Sequence, residues 1–428
     1  MSKIKIKTKT KTKTKTKTKT KTKTKTKTKT SKNKNKNVSN QFTARIVLGN
    51  NTGGIAVDKD TIKEVLESMG GIVEVVINDD FKYKLKGSTL LFKKVDIQIF
   101  IEHVYLEDLP AERSYIFVNQ EYITDWDMSL IKSKNIIPLC KTHEGLKTLH
   151  KLGIAKAKYV GFGNNRKNEY SDSITKCPNL FIHIVGKSPM KGTKTLIDTW
   201  IRKKITYPLV ITASNIFNGN TKLFNYWKSL NPNLSVLPDS IMNKWEEWKQ
   251  MTKSVAILPQ FQTIDSCSIY FCNTELDYNI IQFFQSVAEV HMCPSLIEGW
   301  GQYIDEGRRA KAVVLTLDAS PMNELITDKN NKTDLSTGIL VKATRGPSMK
   351  QLLPPGWTQY FIKNHDYTKF LYITYKTTIN DLYNGVTRIL KMSPEQKREL
   401  GNNALKQSQH DYTNFKTKFT NLILEQIK

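Results

Sequence analysis

The sequence predicts an α/β protein built as two parallel sheets in tandem, each covered by helices, behind a disordered lysine–threonine arm. Three observations predict this. From about residue 43, short apolar runs alternate with segments of helical periodicity, the pattern of parallel strands joined by crossover helices. A polar, periodicity-free stretch at 165–178, "NRKNEYSDSITKCP", interrupts the alternation and reads as a linker. Residues 7–30 alternate Lys and Thr strictly, which repeats like charge at every second position and leaves no apolar face to bury.

The elements follow in order. "ARIVLG" reads as a buried strand, "GNNTGG" as a glycine-rich turn, and "DKDTIKEVLESMG" as an aspartate-capped helix ending at Gly70. "GIVEVVI", "DIQIFIE", "YIFVN", "IIPLC" and "AKYVGFG" are further short strands, with the helix "THEGLKTLHKLG" between the last two. After the linker come strand "LFIHIVG", helix "TKTLIDTWIRKK", strand "YPLVITAS", helix "NKWEEWKQM" and strand "SIYFC". Helix "DYNIIQFFQSV", strand "AEVHMCP", helix "GQYIDEGRRA" and strand "AVVLTL" complete the second series. The tail from Ser393 reads as helices with apolar positions at Leu400, Ala404, Phe415, Phe419, Leu422 and Ile423. The expected boundaries are 1–40 for the arm, 41–168 and 169–395 for two Rossmann-like domains, and 396–428 for C-terminal helices packing back toward the first domain. Two such units place a cleft between the carboxyl ends of their sheets, where ligands bind.

Composition bounds the class. A chain of 428 residues is long enough for two cores. The net charge of +27 is concentrated in residues 1–37, which hold 17 lysines and no acid and leave 49 basic against 39 acidic residues elsewhere. That arm suits a polyanion contact whose affinity falls with salt; it equally suits a repeat expansion with no selected role, since no aromatic is interleaved for base stacking. Five cysteines without CxxC spacing exclude a disulfide framework and a structural zinc site, and point to a reducing, soluble compartment such as the cytoplasm. No apolar run approaches the roughly 18 residues of a membrane span, and no apolar segment follows the basic start as in a secretory signal. The excess of Lys, Asn, Ile, Tyr and Phe suggests an A/T-rich genome, as in some large DNA viruses.

The chemistry concentrates in "CPSLIEGWGQYIDEG". Glu298 falls in a loop between a buried strand and a helix start, where it can accept hydrogen bonds from hydroxyls. Gly299 and Gly301 clear side chains from a helix N-terminus, a place suited to phosphate. Glu306 lies eight positions on, inside the helix. Ser295 flanks the loop as a donor-side candidate, and His291, on the strand leading into it, either points at the ligand or is a core histidine satisfied by backbone. In "FIHIVGKSPMKGT", Lys187 and Lys191 supply cations at a strand end; "VGKS" is not a nucleotide-triphosphate loop, because Phe181 stands where that motif needs glycine. "GNNTGG" lacks the dinucleotide spacing, and the seven histidines lack metal-ligand spacing.

Pro294-Ser295, Glu298-Gly299, Gly301, Glu306, the strand "AVVLT" and Pro321-Met322-Asn323-Glu324-Leu325 together resemble family-4 glycosyltransferases of the GT-B fold. The resemblance implies a nucleotide-sugar donor, retention of anomeric configuration, and no metal or other cofactor. It implies that Glu298 meets the donor sugar and Glu306 the nucleotide ribose, that backbone around Gly301 and Gln302 meets the sugar or diphosphate, and that Lys187 and Lys191 hold the diphosphate. It extends loosely to "FVNQEYITDW" and "LCKTHEG", where Asn119, Gln120, Glu121, Lys141 and Thr142 would line the acceptor side, together with His103 and His143. The acceptor, whether glycan, protein or lipid, is left open. Three departures stand out: Gly307 where the family has Ala, Lys311 where it has Gly, and Lys187 where it usually has Arg, with the spacing to Lys191 one residue short. They are what a competing reading would cite, a non-enzymatic polyanion-binding or structural protein on a lapsed scaffold.

Overall fold

A computed structural model describes residues 41–49, 51–77, 92–105, 109–168, 172, 174–185, 188–212, 235–236, 269–272, 276, 278–329, 333–347 and 373–427. The arm, Lys187 and the helix expected at 243–251 lie outside the described residues.

The apolar runs of the first half become strands β1 (Phe42–Leu48), β2 (Gly71–Ile77), β3 (Val95–Ile101), β4 (Ala111–Val118), β5 (Ile137–Cys140) and β6 (Lys158–Tyr159). They form a parallel sheet in the order β2-β1-β3-β4-β5-β6. β1 and β3 are buried along nearly their whole length because helices cover both faces, which is why they read as continuous apolar runs. The chain leaves β1 toward β2 and then crosses to β3 on the other side, so a switch point opens at the carboxyl ends of β1 and β3.

Three helices pack on this sheet: α1 (Gly53–Ser68), α2 (Asp125–Ser133) and α3 (His143–Lys151). Helix α1 starts earlier than its aspartate suggests. Thr52 is the extended N-cap residue, and Asp58 lies buried inside the helix, held by Lys141. Helix α2 is too weakly amphipathic for periodicity to reveal; its start is fixed by a capping box in which Thr124 and Asp127 satisfy each other's backbone N–H.

The second sheet contains β7 (Cys177–Ile184), β8 (Leu209–Thr212), β9 (Ser235–Val236), β10 (Ile269–Cys272), β11 (Ala288–Cys293), β12 (Val313–Leu317) and β13 (Ile339–Val341). Its order is β13-β12-β11-β7-β8-β10-β9, again parallel, with the switch at β7. Helices α4 (Thr193–Arg202), α5 (Tyr278–Val287), α6 (Gln302–Arg309), α7 (Met322–Leu325) and α8 (Ile379–Leu390) accompany it, and β14 (Thr344–Arg345) pairs antiparallel with β15 (Tyr375–Lys376).

The expected tail helices are one helix, α9 (Pro394–Ile427). Its first half crosses the second lobe so closely that a Cβ on Gly401 would stand 2.1 Å from the Lys311 carbonyl oxygen. Its second half buries Phe415 and Phe419 against Phe117 of β4 and Phe162, with ring centroids 4.8 to 6.1 Å apart. Phe162 also meets Trp300 edge-on at 5.0 Å, so this aromatic cluster reaches the loop that carries Glu298.

Candidate active site

Lys191 and Glu298 meet at the switch point of the second sheet. Lys191 ends a short 3-10 turn, Pro189–Lys191, whose start is capped by Ser188. Gly192 follows in the left-handed region, φ 73°, and opens α4. Glu298 lies in the loop from β11 to α6, and the Leu296 N–H donates to the Met190 carbonyl, 2.8 Å, tying the two loops together. The Lys191 ammonium reaches the Glu298 carboxylate at 2.5 Å. Ser295 donates to the same carboxylate and lies 2.5 Å from the Tyr303 hydroxyl. The Tyr303 ring lies under the ammonium, 4.1 Å from its centroid. Sequence reasoning missed Tyr303, because an aromatic residue in a helix's first turn reads as core.

Glu306 is held on the same helix. Gln302 Nε2 donates to one of its oxygens at 2.9 Å and Gln285 Nε2 to the other at 2.7 Å. Burial raises its pKa, against the opposing pull of Arg309 and the two amides. Gln302 also faces the first lobe: its Oε1 would stand 2.8 Å from a Cβ on Gly54, in the β1–α1 turn.

His291 is not at the ligand face. It is 2 % exposed, lies beneath α6 and donates through Nε2 to the Gln285 carbonyl at 2.9 Å, while burial depresses its pKa to about 3. Its place explains Gly307. A Cβ there would come within 2.9 Å of both His291 Nδ1 and Val314 Cγ2, so only glycine lets α6 sit on β11 and β12. Gly307→Ala is therefore expected to destabilise the protein by up to about 2 kcal/mol, the overpacking cost of about 1–3 kcal/mol less the helix-propensity gain of about 1. A lower Tm in thermal unfolding checks this, and a raised one refutes it. The second departure, Lys311, keeps the left-handed φ of 55° that a glycine would adopt there, closing α6 through its N–H to the Arg308 carbonyl at 3.1 Å.

The first lobe brings Asn119, Gln120 and Glu121, at the carboxyl end of β4, onto the Glu298–Gly299 peptide. Gln120 Nε2 donates to the Glu298 carbonyl at 3.0 Å. A Cβ on Gly299 would lie 2.7 Å from both Asn119 Oδ1 and Glu121 Oε1, so the glycine is what lets the lobes touch. Asn119 donates to Glu102 at 3.0 Å. A second crossing was not foreseen: Glu324 accepts from the backbone N–H groups of His143 and Glu144, 2.7 and 3.0 Å, at the open N-terminus of α3. These partners are some 180 residues apart, and the motif containing Glu324 gave no sign of them.

The other first-lobe candidates are committed elsewhere. The Lys141 ammonium is buried against Asp58 at 2.6 Å, and Thr142 caps α3. His103 Nδ1 lies 2.8 Å from Asp127; burial opposes its charge, but Asp127 and Glu102 outweigh that and raise its pKa. His143 stacks on Tyr159, ring centroids 3.8 Å apart.

Glu121 is the titratable group of the cleft wall. Burial, with Glu298 and Glu102 adding to it, raises its pKa from 4.5 to about 8. Between those values the folded chain binds more proton than the unfolded one, so this group's contribution to stability falls as pH rises. Glu121→Gln has no such proton to lose. The Tm of the native chain minus that of the variant is expected to decline between about pH 4.5 and 8 and level off outside. A flat difference would mean an ordinary carboxylate.

Solved structures decide the architecture. The Anabaena protein HepE, solved with UDP and glucose, superposes with a TM-score of 0.53 at 11% identity, covering 90% of this chain and 100% of its own. Sucrose-phosphate synthase from Thermosynechococcus elongatus gives 0.54 at 12%, covering 90% and 98%. A glycosyltransferase from Rickettsia africae gives 0.54 at 13%, covering 91% and 99%. The chain has the GT-B fold. No family model and no curated protein sequence matches it. Within the GT-B frame, the Lys191–Glu298 pair and Glu306 lie on the second lobe's side of the cleft, and Asn119, Gln120 and Glu121 face them from the first.

Proposed function

We propose that the protein is a glycosyltransferase that moves a sugar from a nucleotide-sugar donor to an acceptor hydroxyl with retention of configuration. The observation that carries this reading is the Lys191–Glu298 pair, opposite charges held 2.5 Å apart at the switch point of a nucleotide-fold sheet. A ligand with an anionic diphosphate and a hydroxylated ring can take both partners. The ammonium turns to the diphosphate, and the carboxylate, still held by Ser295, turns to the sugar hydroxyls. Glu306, held by its two amides, would take the ribose diol.

In the reaction, the bond from the anomeric carbon to the diphosphate oxygen breaks and a bond to the acceptor oxygen forms on the same face. The acceptor's proton passes to the departing phosphate oxygen. Charge grows on the diphosphate as the bond breaks, and Lys191 is positioned to stabilise it in a site that closure of the lobes keeps from water.

Thermal unfolding with UDP, GDP and their sugars tests the reading. A raised Tm with one nucleotide, and release of that nucleotide on incubation with its sugar, are expected. If no nucleotide raises the Tm, the transferase reading fails. Salt-sensitive binding to nucleic acid that vanishes on deleting residues 1–37 would then favour a binding protein.

A further inference from the structure

We propose that Glu121, with Asn119 and Glu102, forms the acceptor wall of the cleft, and that the acceptor is an uncharged, hydroxyl-rich molecule, a neutral sugar, not a phosphorylated or carboxylated one. The proposal rests on the transferase reading above and adds the acceptor's chemical class.

Glu121 is 6 % exposed, and its Oε2 has no hydrogen-bond partner among the described residues. Its carboxyl lies against the Cα of Gly299, next to the residue that is to hold the donor sugar. A Cα cannot supply the missing partner, and a buried polar atom left without one is costly. A hydroxyl supplies it in either ionisation state of Glu121: it donates to the carboxylate and accepts from the acid. Sugars present hydroxyls in adjacent pairs, which suits a wall where Asn119 and Glu121 stand side by side.

The charges around the wall decide against an anion. Glu102 lies beside Asn119, and Asp58 is behind the wall. Lys141, the ammonium nearest among the described first-lobe residues, is bound to Asp58 at 2.6 Å. Lys191, across the cleft, is assigned to the donor diphosphate. A phosphate or carboxylate on the acceptor would meet the Glu102 carboxylate, and Lys141, the cation that acts on Glu121 among the described residues, is already bound to Asp58.

The test uses the full chain with whichever of UDP-glucose and GDP-mannose raises its Tm more. Glucose and maltose are compared as acceptors with glucose 6-phosphate and glucuronic acid. The expected result is transfer to a neutral sugar with kcat/KM at least about tenfold above that for its charged counterpart. Glu121→Ala should raise the acceptor KM about tenfold, the loss of one hydrogen bond to a buried group, while the donor KM moves by less than about twofold. Glu121→Gln, of the same shape, should show a smaller rise and guards against misfolding of the alanine variant. Preference for the phosphorylated or carboxylated sugar, or an equal rise in both KM values, overturns the proposal. So does donor hydrolysis without transfer to either neutral sugar. These outcomes are distinct from failure of the transferase reading, in which no nucleotide-sugar binds or is consumed.

Discussion

Lys191→Ala is expected to lower the transfer rate about 10²–10³-fold while the chain stays folded, the loss typical of removing one preorganised group that meets charge developing in the transition state. The geometry makes the effect specific. When the donor draws the ammonium off the Glu298 carboxylate, the 3-10 turn beneath it and the Tyr303 ring, 4.1 Å from it, still hold it in place. Little reorganisation is then left to occur during the reaction. Because its contribution grows as the diphosphate departs, kcat should fall more than the donor KM rises. Glu298→Ala removes the other partner, and the double variant should lose less than the two single losses multiplied, since each single change leaves an uncompensated charge. Single-turnover kinetics with nucleotide release as the readout checks this. A Lys191→Ala chain that turns over at the native rate would remove the lysine from the mechanism.

What was legible in the sequence follows from what each signal depends on. Strands β1, β3, β4, β7, β11 and β12 could be read to within a few residues because helices bury both their faces, and that burial leaves a continuous apolar run. That Lys191 and Glu298 belong to one site was legible only through the motif, since 107 residues separate them. Helix α2 was missed because its apolar residues segregate to one face only weakly, unlike those of the equally short α3, although Thr124 and Asp127 at capping-box spacing were there to be read. Gly307 could not be explained from sequence at all. Its reason is the His291 ring beneath the helix, the same ring that sequence position alone left open between ligand and core. Lys141 was misplaced in a similar way: a lysine at a strand end looks available, and only the fold brings Asp58 to within 2.6 Å of it. Contacts between lobes, such as Glu324 on the α3 N-terminus, leave no local pattern.

Gly192→Ala is expected to be the most damaging single-methyl change in the site, and a matched control shows why. Gly192 and Gly153 share a left-handed backbone, φ 73° and 79°, so alanine pays about 1–2 kcal/mol for conformation at either position. At Gly153 the added Cβ meets nothing within 4 Å, and the backbone term is the whole cost. At Gly192 it would lie 2.0 Å from the Pro294 carbonyl oxygen, an atom of the β11–α6 loop that cannot rotate out of the way. Overpacking adds about 1–3 kcal/mol, giving about 2–5 in total. Gly192→Ala should therefore lower the Tm by about 1–4 °C more than Gly153→Ala does. The functional consequence follows from the neighbours. Relief of the clash must push the Lys191 turn away from the loop holding Ser295 and Glu298, and the 2.5 Å pair cannot survive a shift of an ångström. Even the folded fraction of Gly192→Ala should bind nucleotide-sugar weakly, whereas Gly153→Ala should bind it as the native chain does. Equal losses of stability and equal donor affinity in the two variants would show that the loops give way independently, and that the close approach of Gly192 to Pro294 is not what aligns the site.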